Sequence, residues 1–258
     1  MKYTKELVTA VVFAVATSAL ADPLSFTEDF DTAGLDNFTL VDRTAAGSNA
    51  GKSSLVAGVT GQAGHVGNGV TYGDNSQAGA WLQANGIAVD ANSDFTLSYS
   101  FKFEQEGTFD DAILAFGNLD AGNYYTSYTT EGAGGSLLYI AKNGKREGNS
   151  ANASADFGTT FADDTWHSAT YSWVAATETL TATVGSASYS VVLDGSTAYN
   201  VSLKDYTDGI QFGFGTHNDR ASFDDIQLTG TAIPEPATLG LIGAFGGAII
   251  FVRRRLII

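Results

Sequence analysis

The stretch "FTLSYSFKF" at residues 95–103 decides the fold, because apolar and polar side chains alternate over all nine positions. The odd-numbered positions are aromatic or aliphatic, and the even-numbered positions are Thr, Ser, Ser and Lys. Successive side chains of a β-strand point to opposite faces of its sheet. The alternation therefore predicts a strand with one face in a core and the other in water.

The same period of two continues outward along the chain. "TLTATVGSASYSVVL" at 179–193 reads as two strands around Gly185, and "GIQFGFGT" at 209–216 reads as another. The predicted inward side chains are Leu180, Ala182, Val184, Ile210, Phe212 and Phe214. No long stretch has the period of an α-helix, and the chain has 30 Gly but only 3 Pro. These features predict an all-β jelly-roll β-sandwich in which residues 22–231 form one domain.

The net charge and the absence of cysteine limit the ligands and the chemistry that this chain can support. The 258-residue chain has a formal net charge of -15, which argues against binding to nucleic acid because phosphate contacts need a basic surface. It has no cysteine, so disulfides and thiolate chemistry are excluded. Divalent cations fit so acidic a chain better.

The first residues have the pattern of a signal peptide. Lys2 and Lys5 precede an apolar stretch at 7–17, and Ala19-Leu20-Ala21 is a small-residue cleavage site. We therefore predict a helical signal peptide at 1–21 and export of the chain. An uncleaved membrane anchor is the alternative, although the apolar stretch is short for a spanning helix.

The last residues, 232–258, have the pattern of a membrane anchor. Residues 237–252 carry no charge and would form a helix of about 24 Å, slightly short for a hydrocarbon core of about 30 Å. Arg253, Arg254 and Arg255 follow and would stay in the cytoplasm by the positive-inside rule. A C-terminal transmembrane helix is therefore expected, but it does not explain Pro234, Glu235 and Pro236 just before it.

Taken together, Pro-Glu-Pro, a short apolar helix and a terminal arginine cluster resemble the PEP-CTERM sorting domain of Gram-negative bacteria that make exopolysaccharide. The resemblance covers residues 233–255. It implies processing by an exosortase, transient anchoring in the inner membrane, and release to the cell surface or extracellular matrix. The alternative is a chance Pro-Glu-Pro before a plain anchor.

A second resemblance lies in "DTWHSATYSWVAATETLTATVG" at 164–185, which is similar to the laminin-G and concanavalin A-like lectin/glucanase sandwich. The residues that match its layout are Trp166, His167, Tyr171, Leu180, Val184 and Gly185. The resemblance extends loosely over most of 26–228. It implies binding of glycans or proteins and, in some members, hydrolysis of polysaccharide.

Catalysis is not expected. The glucanases of that superfamily place carboxylates as Glu-x-Asp-x-x-Glu on one strand, and this pattern is absent. Glu104 and Glu106 alternate but have no third partner in register, and the three histidines show no zinc spacing. The sequence therefore favours a non-catalytic protein that binds glycan or exopolysaccharide. A polysaccharide hydrolase or lyase and a purely structural matrix protein are the alternatives.

Carboxylates cluster near both ends of the predicted sandwich and suggest a structural Ca²⁺ site. Glu28 and Asp31 lie in the opening segment, and Asp224 lies in the closing strand with the parity of Ile226 and Leu228. A carboxylate that points inward is costly unless it is paired or bound to metal. If the first and last strands are neighbours, the three carboxylates become candidate calcium ligands. The alternative is a hydrogen-bonded Asp224 with Arg220 as counter-charge.

Four aromatic side chains are weak candidates for contact with sugar. Trp81, Tyr124, Tyr125 and Tyr128 stand in glycine-rich or polar surroundings. Aromatic faces can stack on the apolar faces of sugar rings if they are exposed. The alternative is that they are ordinary strand or core residues.

Overall fold

We analysed a computed structural model of the chain. It describes residues 22–42, 52–67, 80–104, 110–131, 137–142, 153–156, 164–196, 202–216 and 220–233. The predicted signal peptide and the segment from Pro234 onward, with both predicted terminal helices, lie outside these ranges. Within them, no helix has the length and apolar character needed to cross a bilayer.

The described residues form fifteen strands and a single 3₁₀ turn at Leu203–Asp205. The strands are β1 (Pro23–Glu28), β2 (Phe38–Asp42), β3 (Lys52–Ala57), β4 (Gln62–Gly67), β5 (Ala80–Ala84), β6 (Phe95–Glu104), β7 (Asp110–Asn118), β8 (Asn123–Glu131), β9 (Leu137–Lys142), β10 (Ala153–Asp156), β11 (His167–Val174), β12 (Thr179–Val184), β13 (Ala187–Val192), β14 (Gln211–Thr216) and β15 (Arg220–Thr231).

The strands build two antiparallel sheets. The eight-stranded sheet has the order β13-β12-β11-β6-β15-β4-β3, with β1 also paired to β15. The seven-stranded sheet has the order β10-β9-β8-β7-β14-β5-β2. Residues Pro23–Thr231 form one compact unit. The predicted all-β sandwich is confirmed.

Aromatic rings from the two sheets meet in the core. Phe214 of β14 lies 5.2 Å from Tyr99 and 5.9 Å from Phe223 between ring centroids. Phe95 lies 5.7 Å from Phe212. The odd-numbered residues of β6 are at most 3% exposed, as the alternation predicts. Burying each such ring stabilises the fold by about 1.5–3 kcal/mol, so these rows hold the two sheets together.

The last strand, β15, changes partner along its length and carries a bulge at the change. Its first residues pair with β4, its later ones pair with β1, and β6 lies along its other side. The register with β6 shifts between Asp224 and Gln227, and Asp225 has a φ of 50°. Such an extra residue reverses the faces of a strand. The core therefore receives Phe223 before the bulge and Ile226 after it.

Candidate functional site

Asp224 is buried, but it does not point into the sandwich core. It pairs with Ser100 on the outer face of the eight-stranded sheet, whereas its neighbour Phe223 pairs with Phe101 on the core side. The prediction that Asp224 shares the face of Ile226 and Leu228 is wrong, because the bulge lies between them.

The turn that joins β3 to β4, residues 58–61, covers Asp224. The backbone N–H of Val59 donates to Asp224 Oδ2 over 2.7 Å, and the N–H of Asp225 donates to Oδ1 over 2.8 Å. A Cβ atom added to Gly58 would lie 2.5 Å from Oδ2. The missing side chain at Gly58 therefore lets the turn approach the carboxylate.

Asp31 also binds this turn, at the residue that follows it. Its Oδ1 accepts a 2.7 Å hydrogen bond from the N–H of Gln62, and its own N–H donates to Asp29 Oδ1. We refer to Asp31 and Asp224 as the turn-binding carboxylates. They bring together the β1–β2 connection, the β3–β4 turn and the bulge of β15.

Glu28 is also buried and also accepts hydrogen bonds. Its Oε1 receives the N–H of Phe30 over 2.7 Å, and its Oε2 receives Asn37 Nδ2 over 2.6 Å. Phe30 has a φ of 59°, which is unusual for a bulky residue, and stacks on Phe38 in the core. Glu28 therefore fixes the β1–β2 connection.

Burial raises the pKa of Asp224 above its ordinary value, because the charged form loses hydration. The N–H groups of Asp225 and Val59 oppose this rise. The negative charges of Asp225 and Asp31 add to it. Asp224 is thus a carboxylate whose ionisation the folded state disfavours.

The geometry does not support the predicted calcium site. The first and last strands do pair, as expected. However, both oxygens of Glu28 and of Asp224, and Oδ1 of Asp31, already accept hydrogen bonds from N–H groups. Across the part of the chain that the structure describes, no three His, Cys, Asp or Glu side chains are placed to hold a metal ion. Structural calcium stays a prediction without a described ligand set.

The outer face of the seven-stranded sheet carries a different polar group, the amide cluster of Gln83, Asp120 and Gln211. Gln83 Nε2 donates to Asp120 Oδ1 over 2.9 Å, and Gln211 Nε2 donates to Oδ2 over 2.6 Å. The N–H of Asp120 returns a 3.2 Å bond to Gln211 Oε1. One carboxylate in the β7–β8 turn therefore orients two amides from neighbouring strands.

Further amides continue from this cluster at the same end of the sheet. Asn118 Nδ2 donates to Asp208 Oδ2 over 3.3 Å, and Asn118 Oδ1 accepts the N–H of Ala121. Thr39 Oγ1 donates to Asn85 Oδ1 over 2.7 Å. Apart from the buried Gln83, the sheet thus ends in a row of exposed or half-buried amide and carboxylate groups.

Trp81 and Tyr124 pack beside the amide cluster but are buried, with exposed fractions of 1% and 5%. Their ring centroids are 5.2 Å apart in an edge-to-face contact. The indole lies over Gly213, where an added Cβ would be 2.3 Å from Cδ1. Its buried Nε1 has no hydrogen-bond partner. Because the glycine leaves room for the ring, Trp81 fills the sheet surface and is not an exposed stacking platform.

The other two aromatic candidates are placed differently. Tyr125 lies in the main core, where its ring stacks on Phe116 at 5.7 Å. The side chain of Tyr128 lies outside the described part of the chain. The burial of Tyr124 and Tyr125 favours the alternative that they are ordinary strand or core residues. The sequence analysis also missed Gln83, Asp120 and Gln211, which come from three separate segments with no shared motif.

Among the described side chains, the pair that most resembles a catalytic nucleophile and its base is Ser222 with His65. His65 Nδ1 lies 3.3 Å from Ser222 Oγ. The Ser222 side chain is fully buried on the outer face of the eight-stranded sheet, so a substrate could not reach the hydroxyl. The side chains of Glu104 and Glu106 lie outside the described residues.

The sorting residues Pro234, Glu235, Pro236, Arg253, Arg254 and Arg255 also lie outside the described part of the chain. The profile of the PEP-CTERM protein-sorting motif matches residues 232–255. The chain therefore carries this motif, as its sequence resemblance indicates. No curated protein sequence matches the chain.

Solved structures with a similar fold include lectins of the concanavalin A-like sandwich type. Lectin I from Ulex europaeus, in complex with the methyl glycoside of α-L-fucose, has 13% identity and a TM-score of 0.54, covering 82% of this chain and 99% of the lectin. Lectin II from Ulex europaeus has 12% identity and a TM-score of 0.52, with coverages of 82% and 99%. A lectin from Bauhinia forficata in complex with GalNAc has 12% identity and a TM-score of 0.50, with coverages of 82% and 100%.

Proposed function

We propose that the protein is an exported, non-catalytic glycan-binding protein that uses the outer face of its seven-stranded sheet. The amide cluster carries this proposal. Gln83 and Gln211 are held by Asp120 before any ligand arrives, so binding costs little additional side-chain entropy.

The chemistry of the cluster suits sugar hydroxyls. A primary amide offers both a donor and an acceptor in one plane, and the carboxylate adds acceptors. Neighbouring hydroxyls of a sugar ring need such a mixture. Trp81 and Tyr124 stiffen the sheet beside the cluster.

The similar folds agree with this class of ligand. Two of the lectins named above are complexes with a fucoside and with GalNAc. Their sequence identity to this chain is too low to transfer a sugar or a set of residues. The ligand of this chain is therefore proposed only as a glycan, such as an exopolysaccharide.

The proposed layout follows the sorting motif. Residues 1–21 are a signal peptide, 22–231 the sandwich domain, and 232–258 the sorting and anchor segment. An exosortase-type enzyme of the inner membrane recognises Pro234, Glu235 and Pro236 and releases the domain to the surface or matrix. The sandwich compact unit, Pro23–Thr231, is compatible with this division.

A glycan array and calorimetry with soluble oligosaccharides test the binding proposal. Gln211→Ala should weaken binding of any array hit by about tenfold, because it removes oriented hydrogen bonds. Gln62→Ala is the matched control, since Gln62 is exposed on the other sheet. Absence of array hits, or equal affinity of wild type and Gln211→Ala, would reject the site and favour a structural matrix protein. Release of reducing sugar from polysaccharide would instead establish the hydrolase alternative.

A further inference from the structure

The eight-stranded sheet carries two cross-strand rows of uncharged polar side chains on its outer face, with eleven hydroxyl groups and one amide, Gln227. Within each row, every residue is the direct cross-strand partner of the next. The first row runs from β13 to β1 through Ser190, Thr181, Ser172, Thr96, Thr229 and Ser25. The second row runs through Ser188, Thr183, Thr170, Ser98, Gln227 and Thr27. We call these twelve residues the hydroxyl face.

The hydroxyl face is a surface of the sandwich and not part of its core. Its residues are half-buried or exposed, whereas the alternate residues of the same strands, such as Leu97, Tyr171 and Leu180, are buried. Neighbouring strands lie about 4.8 Å apart, and residues two apart along a strand are separated by about 6.7 Å. Six strands therefore present a grid about 24 Å wide.

Charge is absent from this grid. None of the twelve residues is Asp, Glu, Lys or Arg, although the chain contains 28 acidic and 13 basic residues. Charged residues make up 16% of the chain, which corresponds to about two charges in twelve positions. The hydroxyl face is thus an uncharged area on a strongly acidic molecule.

Part of the grid is ordered by its own hydrogen bonds. Thr181 Oγ1 and Ser190 Oγ are 2.7 Å apart, and Thr183 Oγ1 and Ser188 Oγ are 3.0 Å apart. Threonine side chains have few rotamers, so they lose little entropy when a partner binds. An open groove lies along the first row. It is lined by Thr96, Ser172 and Thr229 of that row, with Asp94 and Val174 at its edge.

The chemistry of the grid excludes several kinds of partner. Anionic polymers would need cations, which the grid lacks. A stable protein interface is centred on aromatic or arginine anchors, and the twelve residues include none. A lipid surface needs a broad apolar area, whereas the exposed apolar side chains beside the first row are two valines, Val174 and Val192. The remaining match is a neutral material that itself presents hydroxyls.

We propose that the hydroxyl face binds neutral polysaccharide whose chains are packed in an ordered solid. A single exposed hydroxyl gains little over water, about 0.5–1.5 kcal/mol at most, so a short soluble glycan would be held weakly. An ordered surface can engage many hydroxyls at once, and the summed contacts become appreciable. The face lies on the opposite sheet from the amide cluster, and either site can be correct without the other.

Retention of the purified full-length chain on microcrystalline cellulose and crystalline chitin tests the proposal. The triple variant Thr96→Val, Ser98→Ala and Thr170→Val removes central hydroxyls and should lower retention at least about tenfold. Its control makes the same kinds of change outside the rows, at Thr60→Val, Ser54→Ala and Thr207→Val. Melting curves confirm that both triples are folded.

A single substitution provides a second test in case the triple variant does not fold. Gln227→Glu places one charge in the grid at an exposed position and should reduce retention several-fold, whereas Gln62→Glu should not. Loss of retention in Gln211→Ala but not in the grid variants would assign the binding to the amide cluster and overturn the proposal. The proposal is overturned if wild type is not retained, if the grid variants are retained equally, or if alginate retains wild type as well. Inhibition of ice growth without retention would assign the face to ordered water and also overturn it.

Discussion

At the scale of single residues, Asp224 and Asp225 have different tasks although they are adjacent. Asp224 accepts two backbone N–H groups in a buried position. Asp225 is the residue of the bulge that adopts the left-handed conformation, at a φ of 50°. Aspartate tolerates that conformation better than most residues, and glycine tolerates it best.

Asp224→Ala should therefore be the more destabilising of the two alanine substitutions. It leaves the N–H groups of Val59 and Asp225 without acceptors, which should cost about 2–3 kcal/mol. Asp225→Ala should cost less, and Asp225→Gly should be neutral or slightly stabilising. Urea unfolding of the three variants and wild type measures this order. A larger loss for Asp225→Ala would contradict the assignment of roles.

The raised pKa of Asp224 predicts a pH dependence. A carboxyl whose pKa is higher in the folded state than in the unfolded state contributes stability that is fully present below the unfolded value, 3.8, and is lost as pH rises through the folded value. The stability of wild type relative to Asp224→Asn should therefore increase as pH falls from 7 towards 3.8. Thermal melts at matched pH values check this. A constant difference would show that Asp224 ionises in the folded state as it does in the unfolded chain.

At the scale of elements, the β3–β4 turn depends on glycines and on the turn-binding carboxylates together. Gly61 has a φ of 64°, and a Cβ there would lie within 2.0 Å of Asp31 Oδ1. Gly86 has a similar φ of 66°, but a Cβ there would meet nothing within 4 Å. Alanine substitutions at the two glycines should therefore introduce similar backbone strain, but only the one at Gly61 should also cause a steric clash.

We expect Gly61→Ala to lower stability by about 1–2 kcal/mol more than Gly86→Ala, because only the former displaces Asp31 from the turn. In an Asp31→Ala background the two glycine substitutions should cost similar amounts. Chemical denaturation of the single and double variants measures the coupling. If the excess cost of Gly61→Ala persists without Asp31, the carboxylate does not hold this turn.

The strands could be predicted from sequence more reliably than the positions of particular side chains. Leu180, Ala182 and Val184 are buried as their parity indicates, because the hydrophobic effect acts on a regular alternation. The alternation of residues predicted the wrong face for Asp224, because no glycine or proline in the sequence marks the bulge. It also could not show that Gly213 leaves space for Trp81, because that contact joins distant segments. The amide cluster escaped notice for the same reason.

At the scale of the whole molecule, we propose that the sandwich and the sorting segment have separate tasks. The chain carries a net charge of -15, so an anionic membrane surface repels it, although salt screens this repulsion beyond about 8–10 Å. Once residues 237–252 are removed, the sandwich has no evident means of staying at the membrane. Processing should therefore change its location without changing its fold.

Replacing Pro234, Glu235 and Pro236 with alanine should keep the protein in the membrane fraction of a host that contains exosortase. The control replaces Thr231, just before the motif, with alanine and should be released normally. Fractionation and intact-mass measurement report the outcome. Wild-type material should lack residues 1–21 and Arg253, Arg254 and Arg255. Equal release of the triple variant would mean that Pro-Glu-Pro is not the signal.

The central position of β15 affects when the protein can fold during export. In the proposed export the N-terminus crosses the inner membrane first, and β15 follows every other described strand. Yet β15 lies between β6 and β4 and also pairs with β1, while β14, just before it, is central in the other sheet. The eight-stranded sheet cannot be completed before β15 has emerged, and the seven-stranded sheet cannot be completed before β14 has emerged. The translocated part would thus remain open to proteases and chaperones until export is nearly complete, and the domain should fold as a unit only when its sorting segment reaches the membrane.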